Sequence, residues 1–266
     1  MAELKDIISL IEEIAPLELA EKWDNSGLQI GCLSSKIKKV AFALDPDFIH
    51  LKTCSEKNID LLVTHHPFFF SNIKSIDLGS SSGRCIETAI KSDIAVYSAH
   101  TTLDSAKQGL NDYFIEKIGL KAIRPITNSP LNDEITGLGR IALNSENFTA
   151  KDLAVMIKKK LELETLRIVG DKDLISSHIG VCTGSGISLM KEAFLLGARI
   201  FITGDLKYHD AKDAVDLGIC VIDAGHFGTE YISSALLKER LDKLLKLKGY
   251  EVSTEILKEK DVFETL

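Results

Sequence analysis

Four of the seven histidines stand where an apolar run gives way to polar residues. Thr64-His65-His66-Pro67 follows Leu61-Leu62-Val63, Ser98-Ala99-His100 follows Ile94-Ala95-Val96-Tyr97, and Gly225-His226 follows Ile219-Cys220-Val221-Ile222. Carboxylates lie close behind, at Asp104 and Glu230. Imidazole and carboxylate together, without thiolate, make a donor set for Zn, Fe, Mn or Ni rather than for Ca or Mg alone. Inside a strand, His65 and His66 would point to opposite faces. Pro67 restricts the backbone of His66 and ends the run, so the rings diverge less and suit one ion each of a close pair. His226 and Glu230 are four apart and share one face of any helix that begins near Gly225. A carboxylate has two oxygens and can bridge ions about 3.5–4 Å apart. His65, His66, Asp104, His226 and Glu230 would therefore fill most of two coordination shells and leave positions for water. Taken singly, each has a plainer reading. A strand-end histidine is an ordinary hydrogen-bonded group, the reading given to His50 and His178, and Asp104 could cap the segment after it.

The weight of the set lies in the elements that carry it. Short apolar runs, each followed by an amphipathic stretch, mark an α/β architecture. Strands are expected at Val40–Leu44, Leu61–Thr64 and Ile94–Ser98, with helices over Pro46–Lys57 and Arg84–Lys91. The later half repeats the pattern. Val40–Asp45 aligns with Ile179–Gly184, and Leu61–His66 with Ile200–Asp205, both at an offset of 139 residues. Ile94–His100 matches Ile219–Gly225 at an offset of 125, which leaves about 14 extra residues in the Ser- and Gly-rich stretch Phe68–Gly83. A strand at Gly137–Leu143 and helices over Thr149–Leu161 and Ser188–Leu196 complete the second copy. The expected fold is thus two related, internally duplicated α/β lobes. The turn-rich segment Arg124–Asp133 puts the boundary near residue 126, giving a first lobe of 1–126, a second of 127–223, and a C-terminal segment of 224–266 that packs back on the first. In open α/β sheets ligands bind beyond the carboxyl ends of the strands, and the repeat places all five candidate ligands at such ends.

Composition narrows the partners. The chain has 266 residues, 45% of them apolar and 27% charged, which suits a globular protein, and its net charge is −7. That sign disfavours nucleic acid and anionic membrane surfaces. Lys158–Lys160 and the lysines of Lys243–Lys248 read as solvated helix faces. Five scattered cysteines without a Cys-x-x-Cys pair argue against both a disulfide framework and a thiolate zinc site. The opening residues read as an amphipathic helix rather than a signal peptide, and no apolar run is long enough to span a bilayer. The expectation is a soluble, cytoplasmic protein without a membrane or nucleic-acid partner.

Trp23-Asp24-Asn25-Ser26-Gly27-Leu28-Gln29-Ile30-Gly31, Thr64-His65-His66-Pro67, Ser98 to Asp104, Thr203-Gly204-Asp205 with Tyr208-His209, and Gly225 to Glu230 resemble, in order and over nearly the whole chain, the Nif-three-like family, known as GTP cyclohydrolase I type 2 homologs. The resemblance implies a dinuclear metal centre in the cleft between two lobes and a ring-shaped homohexamer. It implies one metal each for His65 and His66, Asp104 on one ion, His226 on the other, and Glu230 bridging. The ions would be two divalent metals, zinc first, then iron, manganese or nickel. Longer relatives carry a middle insertion for which 266 residues leave no room. The implied activity is hydrolytic opening of the GTP imidazole ring with release of formate, on a nucleotide-like small molecule. Asp205 and His209 are the candidate acid–base groups for it, with a helix cap and a surface histidine as their plainer readings. No phosphate-binding Gly-x-x-x-x-Gly-Lys loop is present, so two alternatives stand beside it. One is a two-metal hydrolase of phosphoesters or amides; the other is a non-catalytic, metal-binding hexameric scaffold or regulator.

Overall fold

A computed structural model describes residues 2–71, 73–129 and 131–265. Asn72, in the expected insertion, and Pro130, in the expected boundary segment, lie outside the described residues. In chain order the strands begin with β1 (Ala2–Glu3), β2 (Gly27–Ile30), β3 (Lys36–Ile37), β4 (Lys39–Ala43), β5 (Leu61–Thr64) and β6 (Ala95–Ser98). They continue with β7 (Lys121–Pro125), β8 (Arg140–Leu143), β9 (Arg167–Val169), β10 (His178–Val181), β11 (Ile200–Thr203), β12 (Cys220–Asp223) and β13 (Ser253–Ile256).

The chain forms two compact units. The first contains residues up to Leu103 together with Ser233–Glu259. Its sheet runs β13-β4-β5-β6-β2, parallel except for β2, which is antiparallel to β6. Parallel strands covered on both faces read as unbroken apolar runs rather than alternations, and Val40, Phe42, Leu61, Leu62, Val63 and Val96 are all fully buried here. The crossover helix Phe48–Lys57 starts where the Asp47 carboxylate accepts from the His50 amide, and the helix Ser81–Lys91 starts where the Ser80 hydroxyl accepts from Gly83. The opening helix Leu4–Ile14 buries Leu4, Ile7, Ile8, Leu10, Ile11 and Ile14, the amphipathic pattern read from its spacing.

The second unit contains Asp104–Ile232 and the segment after Glu259. Its sheet runs β7-β8-β10-β11-β12-β9, with β10, β11 and β12 parallel and the flanking strands antiparallel. The duplication is visible in the registers. Val40 pairs Leu61 and Leu61 pairs Ala95 in the first unit, while Ile179 pairs Ile200 and Ile200 pairs Cys220 in the second. These pairs match at the offsets of 139 and 125 found in the sequence. In each sheet an antiparallel strand, β2 or β9, follows the third repeat strand in spatial order.

The units divide the chain elsewhere than at residue 126. β7, which precedes the turn-rich segment, pairs antiparallel with β8 on its far side, so that segment connects two neighbours of one sheet. The change of unit falls instead after Leu103, inside the short helix Thr101–Ser105, and the return to the first unit comes at Ser233. The predicted helix over Ser188–Leu196 is a 3-10 turn, Ile187–Leu189, running into Met190–Leu195. Among the described residues no helix is long and apolar enough to cross a membrane.

Candidate metal centre

In the first unit the ends of β5 and β6 bring three imidazoles together. The ladder continues past β5, with the His65 amide donating to Ala43 (3.3 Å) and the His66 amide to Leu44 (3.0 Å). The Thr64 hydroxyl donates to the His66 carbonyl, and the Ser98 hydroxyl to the His65 carbonyl, both at 2.7 Å. These bonds fix the backbone at the point where the strand ends. The His65, His66 and His100 rings stand 5.2–5.6 Å apart, and each offers a nitrogen within 4.8 Å of the others.

Each ring is also held at Nδ1. His65 Nδ1 lies 3.0 Å from the Ala99 carbonyl, so it carries the proton and donates. His66 Nδ1 meets the Asp45 carboxylate at 2.8 Å, and His100 Nδ1 meets Asp24 at the same distance. Carbonyl and carboxylate acceptors on Nδ1 favour the tautomer protonated at Nδ1, the form of imidazole that can ligate a cation through Nε2. Asp24 is the most heavily used of these anchors. Burial would raise its carboxyl, but hydrogen bonds from His100, Thr101 and Ser26 outweigh that and hold it well below the usual carboxylate range.

In the second unit, β12 ends at Asp223, and Gly225 turns the chain into the short helix His226–Glu230. His226 Nδ1 meets the Asp205 carboxylate at 2.7 Å, while its Nε2 lies 2.8 Å from Glu230. The Glu230 and Asp205 carboxylates together overcome burial and push His226 up to about 9. A metal ion taking Nε2 would thus displace a proton. Glu230 itself is 4% exposed. Room for its carboxylate exists because residue 184 is glycine: a Cβ there would lie 1.8 Å from Glu230 Oε1. Gly184 is held by its own amide, which donates to the Thr229 hydroxyl at 2.8 Å.

Asp104 is 7% exposed. Its carbonyl accepts from the Asn111 side chain at 3.1 Å, and Asn111 Oδ1 accepts from the Thr183 amide at 3.0 Å. One buried amide side chain thereby ties the backbone of Asp104 to the loop that packs on Glu230. Asp104 and Glu230 both bear on Cys182, where burial first and then these two carboxylates push the thiol up. Arg140, 2% exposed, fixes the residues that follow Asp104. Its guanidinium donates to the carbonyls of Ala106 (2.7 Å), Gly137 and Gly139 and to the Asp112 carboxylate (3.0 Å).

All five expected ligands stand at strand ends or in the short helices directly after them. In the first unit His65 and His66 lie together with a third imidazole, His100, which was not among the expected ligands. Asp45 and Asp24 were also absent from that set, since an orienting carboxylate 21 or 76 residues away leaves no local pattern. Of the candidate acid–base groups, Asp205 holds His226, at a left-handed φ of 56° that is uncommon outside glycine. His209 is exposed in the first turn of the helix Tyr208–Asp216, its ring 5.4 Å from Tyr208. The donor chemistry of each unit, three imidazoles held at Nδ1 in the first and one imidazole with two buried carboxylates in the second, fits a divalent ion of the zinc, iron, manganese or nickel class.

A family profile described as Duf34/NIF3 (NGG1p interacting factor 3) matches residues 2–261. A protein of Clostridium acetobutylicum named GTP cyclohydrolase 1 type 2 homolog is 34% identical over 255 residues, covering 96% of this chain and 94% of that one. A protein of the same name from Clostridium perfringens is 38% identical, covering 90% and 93%. Among solved structures, a hypothetical protein of Staphylococcus aureus superposes with a TM-score of 0.92 at 28% identity, over 99% of both chains. Reduced HcgD from Methanocaldococcus jannaschii superposes at 0.81 and 29% identity, over 97% of this chain and 98% of that one.

Proposed function

Because the chain belongs to the Duf34/NIF3 family, we propose that it is a dinuclear-metal hydrolase that opens the imidazole ring of GTP and releases formate, as the names of its relatives suggest. In this reading His65, His66, Asp104, His226 and Glu230 would hold the two divalent ions. The single observation that supports it most is that His65, His66, His100 and His226 are each held at Nδ1, which sets the orientation of all four rings. Once bound, the ions supply Lewis acidity and a water acidic enough to attack carbon at neutral pH. The chain's own residues do the rest. Asp45, Asp24 and Asp205 fix the tautomer of the rings they touch. His100 stands beside His65 and His66, its ring fixed by Asp24. Asp205 acts through His226 and is a positioning group, and His209 remains the candidate for exchanging protons with solvent. The same reading includes the homohexamer and a cytoplasmic setting.

Turnover of a nucleotide panel by metal-reconstituted protein, read by mass spectrometry beside His66→Ala, tests it. Loss of formate from GTP by the parent protein and not by the variant supports the assignment. Two bound metals with every nucleotide unchanged would overturn it and leave the two-metal hydrolase of phosphoesters or amides and the scaffold readings in its place.

A further inference from the structure

Beside the histidine cluster of the first unit lies a pocket of about 360 Å³ with an unusual lining. Trp23 is 63% exposed and Phe70 60% exposed, and both line it together with Asn25, Phe69, Ser71 and Ile73. Large aromatic side chains left in water forgo roughly 25 cal/mol for every Å² of apolar surface, so two facing one cavity need an explanation. They are not strays on a loose loop. The Asn25 side chain donates to the Phe69 carbonyl at 2.6 Å, and Gln29 Oε1 accepts from the Phe69 amide at 3.2 Å. Gln29 Nε2 donates back to the Asn25 carbonyl at 2.7 Å. Two amide side chains thus lock the Trp23 wall to the Phe70 wall. Both aromatic rings also stand edge-on to the same imidazole, Trp23 at 5.7 Å and Phe70 at 5.9 Å from His100.

We propose that this pocket is a ring-binding subsite, in which Trp23 and Phe70 take the π-faces of a flat heteroaromatic ligand and hold its edge toward His100. The lining chooses the ligand class. No lysine or arginine lines the pocket among the described residues, so an anionic tail is not gripped here. The one acid, Asp24, has its side chain fully buried and committed to His100, Thr101 and Ser26. Asn25 uses its amide donor on Phe69 and Gln29, which leaves its carbonyl oxygen to accept from a ring N–H. The pocket therefore reads the base-like part of a substrate and not its phosphates. Placing that ring at the catalytic centre rests on the hydrolase reading above; the binding itself does not.

Trp23 is the only tryptophan in the chain, so its fluorescence reports this pocket alone. Guanosine, adenosine and uridine are titrated into the whole protein, with and without zinc, beside inorganic triphosphate and cyclohexanol. The nucleosides should quench Trp23 saturably, while triphosphate and cyclohexanol should not. Phe70→Ala should weaken nucleoside binding about tenfold, the scale of losing one base–aromatic stack, and Phe70→Tyr should restore it. Phe70 is exposed, so neither change threatens folding. Equal quenching by cyclohexanol, or unchanged affinity in Phe70→Ala, would overturn the subsite even in a protein that turns GTP over. Saturable quenching without turnover would keep the subsite and remove the hydrolase reading.

Discussion

Replacing Gly184 with alanine separates the role of open space at Glu230 from general damage to the fold. Gly184 sits at φ +62°, and a left-handed conformation costs an ordinary L-residue about 1–2 kcal/mol. Gly218, in the same unit, sits at φ +70° with nothing within 4 Å of a built Cβ, so Gly218→Ala carries the backbone cost alone. At Gly184 the new methyl would lie 1.8 Å from Glu230 Oε1 and 2.7 Å from Cδ, so the carboxylate must leave its place. Glu230 is buried and lies 2.8 Å from His226 Nε2, so its movement breaks that pair and overfills the loop. Overpacking of this kind costs roughly 1–3 kcal/mol beyond the control. At about 2–4 °C per kcal/mol, Gly218→Ala should lower the melting temperature by a few degrees and Gly184→Ala by several more. Elemental analysis after reconstitution should find the metal content of Gly218→Ala unchanged and that of Gly184→Ala reduced. Equal melting temperatures and equal metal content in the two variants would refute the claim that Gly184 makes the room for Glu230.

Asn111→Leu strands the Thr183 amide and the Asp104 carbonyl in the interior and should cost about 2–4 kcal/mol in denaturant unfolding, with metal content falling alongside. Asp45→Asn and Asp205→Asn remove the anchors of His66 and His226; each should weaken metal affinity about 10- to 100-fold in competition with a chelator while leaving the melting temperature of the apo protein within a few degrees. His50 gives a pH dependence away from the metal ligands. Burial opposes its charge, but Asp47 and then Glu259 outweigh burial and raise it above the ordinary imidazole value of 6.5. Its contribution to stability is therefore complete below that value and lost as pH rises through the raised one. The gap in unfolding midpoint between the parent protein and His50→Gln should be widest near about pH 5.5 and close as the medium becomes alkaline; a gap that is constant with pH would contradict the assignment.

Much of the framework was legible because apolar runs carry their own spacing. The paired registers at Val40–Leu61 and Ile179–Ile200 follow directly from the offset of 139. The strand ends then located the histidines, since a parallel sheet has one end at which its loops gather. What escaped was set by contacts distant in sequence. Asp24 reaches His100 across 76 residues, and nothing in Trp23-Asp24-Asn25 announces a buried anchor. Asp45 falls just beyond β4 and reads as an ordinary strand end until His66 is laid beside it. β7 was missed because four of its five residues are exposed or half-buried, so it lacks the apolar run that marks a strand, and the polar turn after it looked like a boundary. The duplication also hides a reversal. In the first unit the second residue after the second repeat strand, His66, is the imidazole and Asp45 its anchor. At the equivalent place in the second unit, Asp205 is the anchor and His226 the imidazole.

The first unit is discontinuous in the chain, and this has a consequence for how the protein is made. β13 completes the edge of a sheet begun by β4, more than 200 residues earlier. Just beyond it, the Glu259 carboxylate accepts from the Leu44 amide at 2.7 Å and the Asp45 amide at 3.3 Å, directly behind the carboxylate that orients His66. As the chain leaves the ribosome, residues 104–232, the larger part of the second unit, emerge before β13, while the β4 edge and the backbone of Asp45 wait for the last part of the message. Nascent chains arrested before residue 250 would therefore carry a first sheet without its β13 edge and without the Glu259 contacts to Leu44 and Asp45. Maturation of the first unit is a late event, timed by translation of the segment that closes it.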